Sequence, residues 1–481
     1  TANLAAATSI GQNAYKDVTT ITSVTLNTVG DKTNHKVQIG DNAFDGLTEL
    51  TELTIPATVQ FSGTGANVFA NMAKLATVTI LNDQVTATEF ANDNAIATLT
   101  IKNPDLATIP ASAFTSTKIV ALDLSMCPSL VVASGAFPAN AFTKIKLSGS
   151  KTPIANFNLT SAAGSLKTLT LSADAGETTI PANKFQSFTK LANVSLPATI
   201  SLIDDYAFEA SALTAITIPE GCSIGDYAFA NCADLATVTF VSEDPLTALS
   251  AYIGDNAFEA TAVAKVIIPA NVWAVGADVF KDCALLKRFQ ANSAYDETTD
   301  TKYGITTIPA IFDGCDKLSE VVIPKTVTTI AANAFKDHAK LATVTFKHEG
   351  ADDDASAVMT LIGASAFEGT AITAIDLSLT QLAGLSSADI FKDCASLATI
   401  TLPEEMNSLT GNAIFAGTAI ETLDASMVDG NIGGWHFDST LGATVPNTLF
   451  GTDEDNPNNT LKVLKVGNAT IVGSAAWSTG A

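Results

Sequence analysis

The chain has 481 residues, with 49 acidic against 25 basic side chains and a formal net charge of -24. That balance repels phosphate and argues against nucleic-acid binding, which is dominated by Lys and Arg contacts; Arg288 is the sole arginine. Hydrophobic residues make up 47% of the sequence, yet no run approaches the roughly 20 consecutive apolar residues of a membrane span, so the chain reads as soluble, with its apolar excess spread as Ala and Val.

Residues 1–38 hold a first, imperfect turn around Tyr15, Ile21, Val24 and Leu26, followed by the excursion NTVGDKTNHKV. Terminal repeats must cap a stack and are commonly atypical, so this segment is expected to be an N-terminal cap. From Ile39 a unit emerges that recurs along the chain, clearest in IGDYAFANCADLATVTF at 224–240. There Phe229 is followed by apolar residues at Leu235, Val238 and Phe240; the same frame holds Phe44 with Leu50, Leu53 and Ile55, and Phe335 with Leu341, Val344 and Phe346.

The aromatic slot is filled by Tyr15, Phe44, Phe69, Phe90, Phe114, Phe137, Phe185, Phe208, Phe229, Phe258, Phe280, Phe312, Phe335, Phe367, Phe391, Phe415 and, near the end, Phe450. Compact spacings run from 21 residues (Phe69 to Phe90) to 25 (Phe44 to Phe69). A period of this size with L-x-x-L-x-L spacing marks a leucine-rich-repeat solenoid. The expected fold is therefore a curved right-handed superhelix with a parallel sheet of short strands, otherwise irregular with short helical turns. In LATVTF the apolar residues alternate, which predicts a strand with one face inward. No single turn can bury its own apolar stripe, so each must lie against its neighbours.

Two links follow the slot Phe. In the longer one the next apolar residue is six places on; in the shorter it is five, as in Phe208 to Leu213 and Phe258 to Val263. The long link often carries Cys three places after Phe (Cys232, Cys283, Cys315, Cys394), where other turns have Leu47, Met72, Phe188 or His338. A position shared with Leu, Met and Phe is a buried one, so packed thiols are expected. A disulfide between Cys283 and Cys315 is not expected, and the pairing of Cys127 and Cys222 is open. The short link has Ser211, Thr261, Thr370 or Thr418 there, whose hydroxyl can bond nearby backbone.

Between Ser148 and Thr179 the register blurs: Leu166, Leu169 and Leu171 keep the strand, and Phe157 is the best aromatic candidate. From Ile180 to Leu402 the pattern is regular, and Pro197, Pro219, Pro269, Pro324 and Pro403 end strands by removing a donor. Three turns instead leave on long excursions, 241–252, 291–304 and 347–361. They leave after the same strand position and are expected to protrude from one edge, as plain surface insertions or as a binding edge. The repeats are taken as 39–425 and the decayed stretch 426–481 as a C-terminal cap, with the chain 1–481 read as a single solenoid and a monomer.

The outward pairs of the strands include Thr77 with Thr79, Thr98 with Thr100, Thr168 with Thr170, and Thr343 with Thr345. Such a lattice can suggest ice binding, but Lys144, Lys146, Lys265, Arg288, Glu320 and Asp376 break it, and Thr is simply favoured on pleated surfaces. The interruptions are of more interest. Lys265 and Arg288 fall at the same strand position of adjacent turns with Trp273 in the link between them, a candidate partner surface; the plainer alternative has Trp273 packed on a neighbouring turn. The acidic run 348–354 lacks the alternating oxygen ligands of a calcium loop, and 453–459 resembles the first half of one but has Leu464 where the closing Glu would stand, so no metal or cofactor is expected. The four histidines, His35, His338, His348 and His436, match no catalytic motif.

The pattern I-G-x-x-A-F-x-x-C-x-x-L-x-x-V-x-I-P, seen at 224–240 and, with its Pro, at 39–56, resembles the BspA-like leucine-rich repeats, also called the Treponema pallidum type. The resemblance covers about residues 10–466. It implies a secreted or surface-exposed protein of a host-associated bacterium, with leader and anchor outside this sequence, that binds an extracellular protein or glycan and is not an enzyme. It assigns no binding residue, because the repeat consensus is a packing consensus.

Overall fold

The computed structural model describes residues 1–29, 37–138, 142–148, 154, 156–173, 178–242, 251–296, 301–347 and 359–428, together with 431–432, 435–438, 443–446, 449, 463–466 and 469–472. The chain divides into two units, Thr1–Pro219 and Glu220–Ala481, and each is a parallel β-solenoid.

In the first unit the main sheet runs from Glu52–Ile55 through Thr77–Ile80, Thr98–Ile101, Ala121–Leu124, Lys144–Ser148, Thr168–Ser172 and Asn193–Ser195 to Ala215–Ile218. Register is kept residue for residue: Leu53 lies beside Val78, Val78 beside Leu99 and Leu122 beside Ile145. These are the alternating apolar positions of the sequence pattern. They point inward and are 3% exposed or less, while the residues between them face out. In the second unit Lys265–Ile268, Arg288–Ala291, Glu320–Ile323 and Thr343–Phe346 form a four-stranded parallel sheet, and Ala374–Asp376 pairs with Thr399–Thr401.

Each unit also has a second ribbon of shorter strands, which periodicity around the slot does not announce. In the first unit it includes Ser9–Ile10, Val37–Gly40 and Val59–Ser62; in the second, Ser223–Ile224, Ala251–Ile253 and Val272–Val275, then Thr307–Ile308, Thr329–Ile330 and Leu361–Ile362. Its inward residue is the apolar one five places before most slot Phe residues, such as Ile39, Ile224, Ile253 and Ile330, each 2% exposed or less.

The aromatic slot occupies the arc after this ribbon. Short helical turns are expected there, but among the described residues helical geometry is confined to residues 154 and 156 and the 3-10 turn Thr160–Ala162. The arc is instead a succession of β-turns, because at most slots the residues two before and two after the ring take left-handed conformations, as at Asn333 (φ 59) and Asp337 (φ 62) around Phe335. Asn, Asp and Gly tolerate that region best, which explains why they recur at these two places. With the helical repeat interrupted, alternate N–H groups reach the next turn: Asn333 to Ala364 O at 3.0 Å, Phe335 to Ala366 O at 2.8 Å and Asp337 to Glu368 O at 2.8 Å. The intervening groups close within the turn, Lys336 to Asn333 O at 3.2 Å. Every second amide of the arc is therefore a rung between turns.

These rungs set the slot rings face to face. In the first unit Tyr15, Phe44, Phe69, Phe90, Phe114 and Phe137 follow one another at centroid distances of 5.3 to 5.9 Å and interplanar angles of 6 to 24°. In the second unit Phe229, Phe258, Phe280, Phe312, Phe335, Phe367, Phe391 and Phe415 stack at 5.2 to 6.1 Å and 2 to 19°. Offset stacking adds roughly 0.5–1.5 kcal/mol per pair beyond area burial.

The blurred register of the sequence corresponds to a break in this column. Phe157 is tilted at 45° to Phe137 and meets Phe142 edge-on at 72°. Among the described residues it has no face-to-face partner, and Phe185 begins a new stack with Phe208 at 5.2 Å. Lys184 crosses the gap, its Nζ donating to Phe157 O at 2.8 Å. Burial strips water from that amine and lowers its pKa from the ordinary lysine range.

At the ends, Ala2–Leu4 pairs with Val24–Leu26, and Val463–Val466 lies parallel to Thr422–Ala425 with Ala469–Val472 antiparallel beyond it. Phe450, Leu461, His35, His348, both acidic runs and most of the excursions (243–250, 297–300 and 348–358) lie outside the described residues. The excursion at 291–304 opens with a hairpin of Ala294–Asp296 and Thr301–Tyr303.

Candidate functional site: the outward face of the main sheet

Three places after the slot Phe, the buried column has a polar role beyond packing. All six cysteines are buried thiols. Cys283 Sγ donates to Phe258 O at 3.1 Å, Cys315 Sγ to Phe280 O at 3.1 Å and Cys394 Sγ to Phe367 O at 3.0 Å. His338, half-buried, places Nε2 2.9 Å from Phe312 O in the same way. In the short links Thr261 and Thr418 donate to the Phe carbonyl of their own turn at 2.9 and 2.8 Å. Burial raises the pKa of Cys283, Cys315 and Cys394, which keeps them protonated and able to donate. These thiols are structural donors, not nucleophiles.

The sequence-predicted partner residues are spread over three sheets. Lys265 and Arg288 are direct neighbours on the main sheet of the second unit, paired in register. Arg288 is in turn beside Glu320, with its Nε 3.3 Å from Glu320 Oε1 at an angle that makes an ion pair without a hydrogen bond, and its Nη2 donates to Gln290 at 3.2 Å. Lys265 is exposed and has no ion pair among the described residues. Trp273 is 58% exposed but stands on the second ribbon, in Val272–Val275, not on the sheet that carries the cations. In the first unit Lys144 and Lys146 are both exposed on the main sheet, Lys146 reaching Asp123 at 3.6 Å.

Beside Lys265 the sheet opens. Thr237–Phe240 and Lys265–Ile268 are sequential main-sheet strands in the same unit that do not share a hydrogen-bonded ladder. A shallow groove of about 410 Å³ lies there, bordered by Thr237, Thr239 and Phe240 on one side and Lys265, Ile267 and Pro269 on the other. Ile267 is 37% exposed. The arrangement offers a cation with no ion pair among the described residues, hydroxyls and a small apolar floor on one face.

The threonine pairs are in register over short runs only: Thr77 with Thr98 and Thr79 with Thr100, then Ala121 and Asp123. On the other side Thr54 lies beside Thr79, but Glu52 lies beside Thr77, so the paired hydroxyls end there. Neither a group of His, Cys, Asp and Glu able to hold a metal nor a helix long and apolar enough to cross a membrane occurs among the described residues.

Repeating turns, an inward aromatic column and one open strand face define a leucine-rich-repeat solenoid. The family model described as a BspA type leucine rich repeat region matches residues 8–140, 156–287 and 306–441, and the chain belongs to that family. Among solved structures, it is similar to a leucine-rich repeat protein from Bacteroides ovatus (21% identity over 80% of this chain and 82% of that one, TM-score 0.42). It is also similar to a leucine rich cell surface protein from Faecalibacterium prausnitzii (21%, 76% and 82%, TM-score 0.26) and a leucine-rich repeat protein from Eubacterium ventriosum (16%, 86% and 87%, TM-score 0.32). A comparison with curated proteins finds no match.

Proposed function

We propose that this chain is a non-enzymatic interaction protein, displayed on a cell surface or secreted, which binds an extracellular protein through the outward face of its main sheet. The observation that carries the reading is the Lys265–Arg288 pair beside the open groove: a cation without an ion pair among the described residues and an apolar floor held at fixed spacing in a strongly acidic chain. Charge arranged on a rigid face gives orientation and on-rate to a docking partner, and membership in a repeat family built for surface display of side chains agrees with it. An acidic strand or loop of the partner fits this chemistry.

A glycan-binding role within a surface uptake system is the second reading, favoured by Trp273, whose ring stands 58% exposed where aromatic stacking on a sugar is open to it. Binding assays on immobilised matrix proteins and mucus against a polysaccharide array separate the two. Saturable binding to protein, weakened about tenfold by Lys265→Glu and unchanged by Trp273→Ala, supports the first. Saturable binding to glycans alone, lost in Trp273→Ala, replaces it with the second.

A further inference from the structure

The turn around Phe90 departs from every other described turn in what it buries. Its spacing is compact, 21 residues from Phe69 to Phe90, as it is from Phe208 to Phe229, but here no strand of the second ribbon forms between Ile80 and Thr98. Seven buried side-chain atoms lack a hydrogen-bond partner among the described residues, and four of them fall in this turn: both amide atoms of Asn82, Glu89 Oε1 and Asp93 Oδ2. Glu89 and Asp93 are both 0% exposed.

Their positions in the repeat make the anomaly specific. Glu89 immediately precedes the slot Phe, a column held by Ala43, Val68, Ala113, Ala228 and Ala334, all 2% exposed or less. Asp93 is three places after it, the column of Met72, Thr117 and the four thiols. Their surroundings hold few charges and no compensating one. Glu89 Oε2 accepts from Thr86 N at 3.2 Å, with Val68 and Ala113 as its column neighbours. Asp93 Oδ1 accepts from Met72 N at 2.7 Å. The one charged group that acts on Asp93 is Asp45, of like sign, which is occupied with Lys16 at 3.0 Å and Asn71 at 2.7 Å. Neither buried acid has an ion pair among the described residues.

A carboxylate without a cation or enough donors is costly to bury, and in practice such a group is carried neutral. We propose that the Phe90 turn is a proton-dependent joint: Glu89 and Asp93 are held as neutral acids while the turn is stacked, and their ionisation releases it from the turns of Phe69 and Phe114. Neutral Asp93 also brings an O–H to a column in which Cys283, Cys315, Cys394 and His338 all engage the preceding turn's Phe carbonyl. Desolvation pushes both carboxyls up to about 8, against ordinary values near 4. The folded state thus binds more protons than the unfolded chain between about pH 4 and pH 8. The stability these groups confer is complete below that window and is lost as pH rises through it.

The test is urea unfolding of the full chain from pH 5 to 9, combined with hydrogen exchange of amides in 86–117 corrected for intrinsic rates. Two double variants serve, Glu89→Gln with Asp93→Asn, and Glu89→Ala with Asp93→Thr, the latter using residues that the repeat itself places there. In the wild-type chain the equilibrium constant for folding of the Thr1–Pro219 unit should fall by up to about a hundredfold per pH unit between pH 5 and 7, tenfold for each acid. Amides of 86–117 should lose protection at pH 9 relative to those around Phe335. Both variants should remove most of this slope and the local loss. A variant that folds and keeps the wild-type slope and the same loss of protection overturns the proposal. If the Ala/Thr pair fails to fold, the near-isosteric Gln/Asn pair decides it.

Discussion

The turns from Phe312 to Phe391 and the stretch from Phe137 to Phe185 are made from similar residues and come out differently. In the first, rings stack within 19° of parallel at 5.2 to 5.5 Å, with left-handed residues two before and two after Phe335, Phe367 and Phe391. In the second, Phe157 is just as buried, at 4% exposed, but Leu159, two places after it, has φ -103, and the ring turns edge-on to Phe142. Burial alone does not place an aromatic in the column. The stacked rings are flanked by left-handed residues, on both sides at most slots and on one side at Phe90, Phe114 and Phe312, and these turns direct alternate amides to the next coil and fix the spacing at which rings can lie flat. Beside this break a cavity of about 490 Å³ is lined by Phe137, Phe142 and Phe157, and the Lys184 amine donates to the Phe157 carbonyl.

The contrast can be broken at several points. The largest effect should come from Phe335→Ala, which removes a ring sandwiched between Phe312 and Phe367 and should cost roughly 3 to 5 kcal/mol in urea unfolding, whereas Phe157→Ala, beside an existing void, should cost roughly 2 to 3 kcal/mol. Next is Asp337→Val. A β-branched residue at φ 62 is strained, with an expected loss of about 1 to 3 kcal/mol. Leu159→Val carries no such conformational penalty, and its smaller loss should match one missing methylene. Cys394→Ala removes a thiol donor to Phe367 O and should cost about 1 kcal/mol. Lys184→Met leaves Phe157 O without its donor, for a comparable loss, and should also abolish a pH effect. Because folding lowers the lysine pKa, the wild-type chain gains stability as pH rises through the lowered value towards 10.5, and the variant should not. The smallest effect belongs to Arg288→Gln. Its ion pair with Glu320 is about one-third exposed on both sides, and such pairs contribute about 0 to 1 kcal/mol.

Much of this architecture is legible in the sequence because packing in a solenoid is periodic. The Phe slot, the three apolar residues after it, the inward and outward alternation of the main strands, and the breakdown of register before Thr179 all follow from spacing. So does the buried character of the Cys position, although its hydrogen bond to the preceding Phe carbonyl does not, since that depends on the rise from one turn to the next. The left-handed residues leave a mark that spacing of apolar residues overlooks: Asn or Asp two before the slot in DNAF and NAF, and Gly, Asn or Asp two after it. The second ribbon leaves a fainter one, a single Ile or Val about five before the slot, too short for alternation to register. Glu89 and Asp93 look like ordinary surface acids until the column around each is known. The proposed partner surface is legible only in part. Lys265 and Arg288 are neighbours as their shared strand position requires, but the strand of Trp273 belongs to a ribbon the pattern did not reveal.

Hydrogen exchange resolved to short peptides tests most directly whether the left-handed turns beside the slot, rather than burial, hold the coils together. The amides of Phe44 and Gly46, which donate to Val68 O at 3.0 Å and Ala70 O at 2.9 Å, should be protected well beyond those of Phe157 to Leu159 in the same unit. Equal protection of the two segments, or stronger protection at Phe157, would contradict the account.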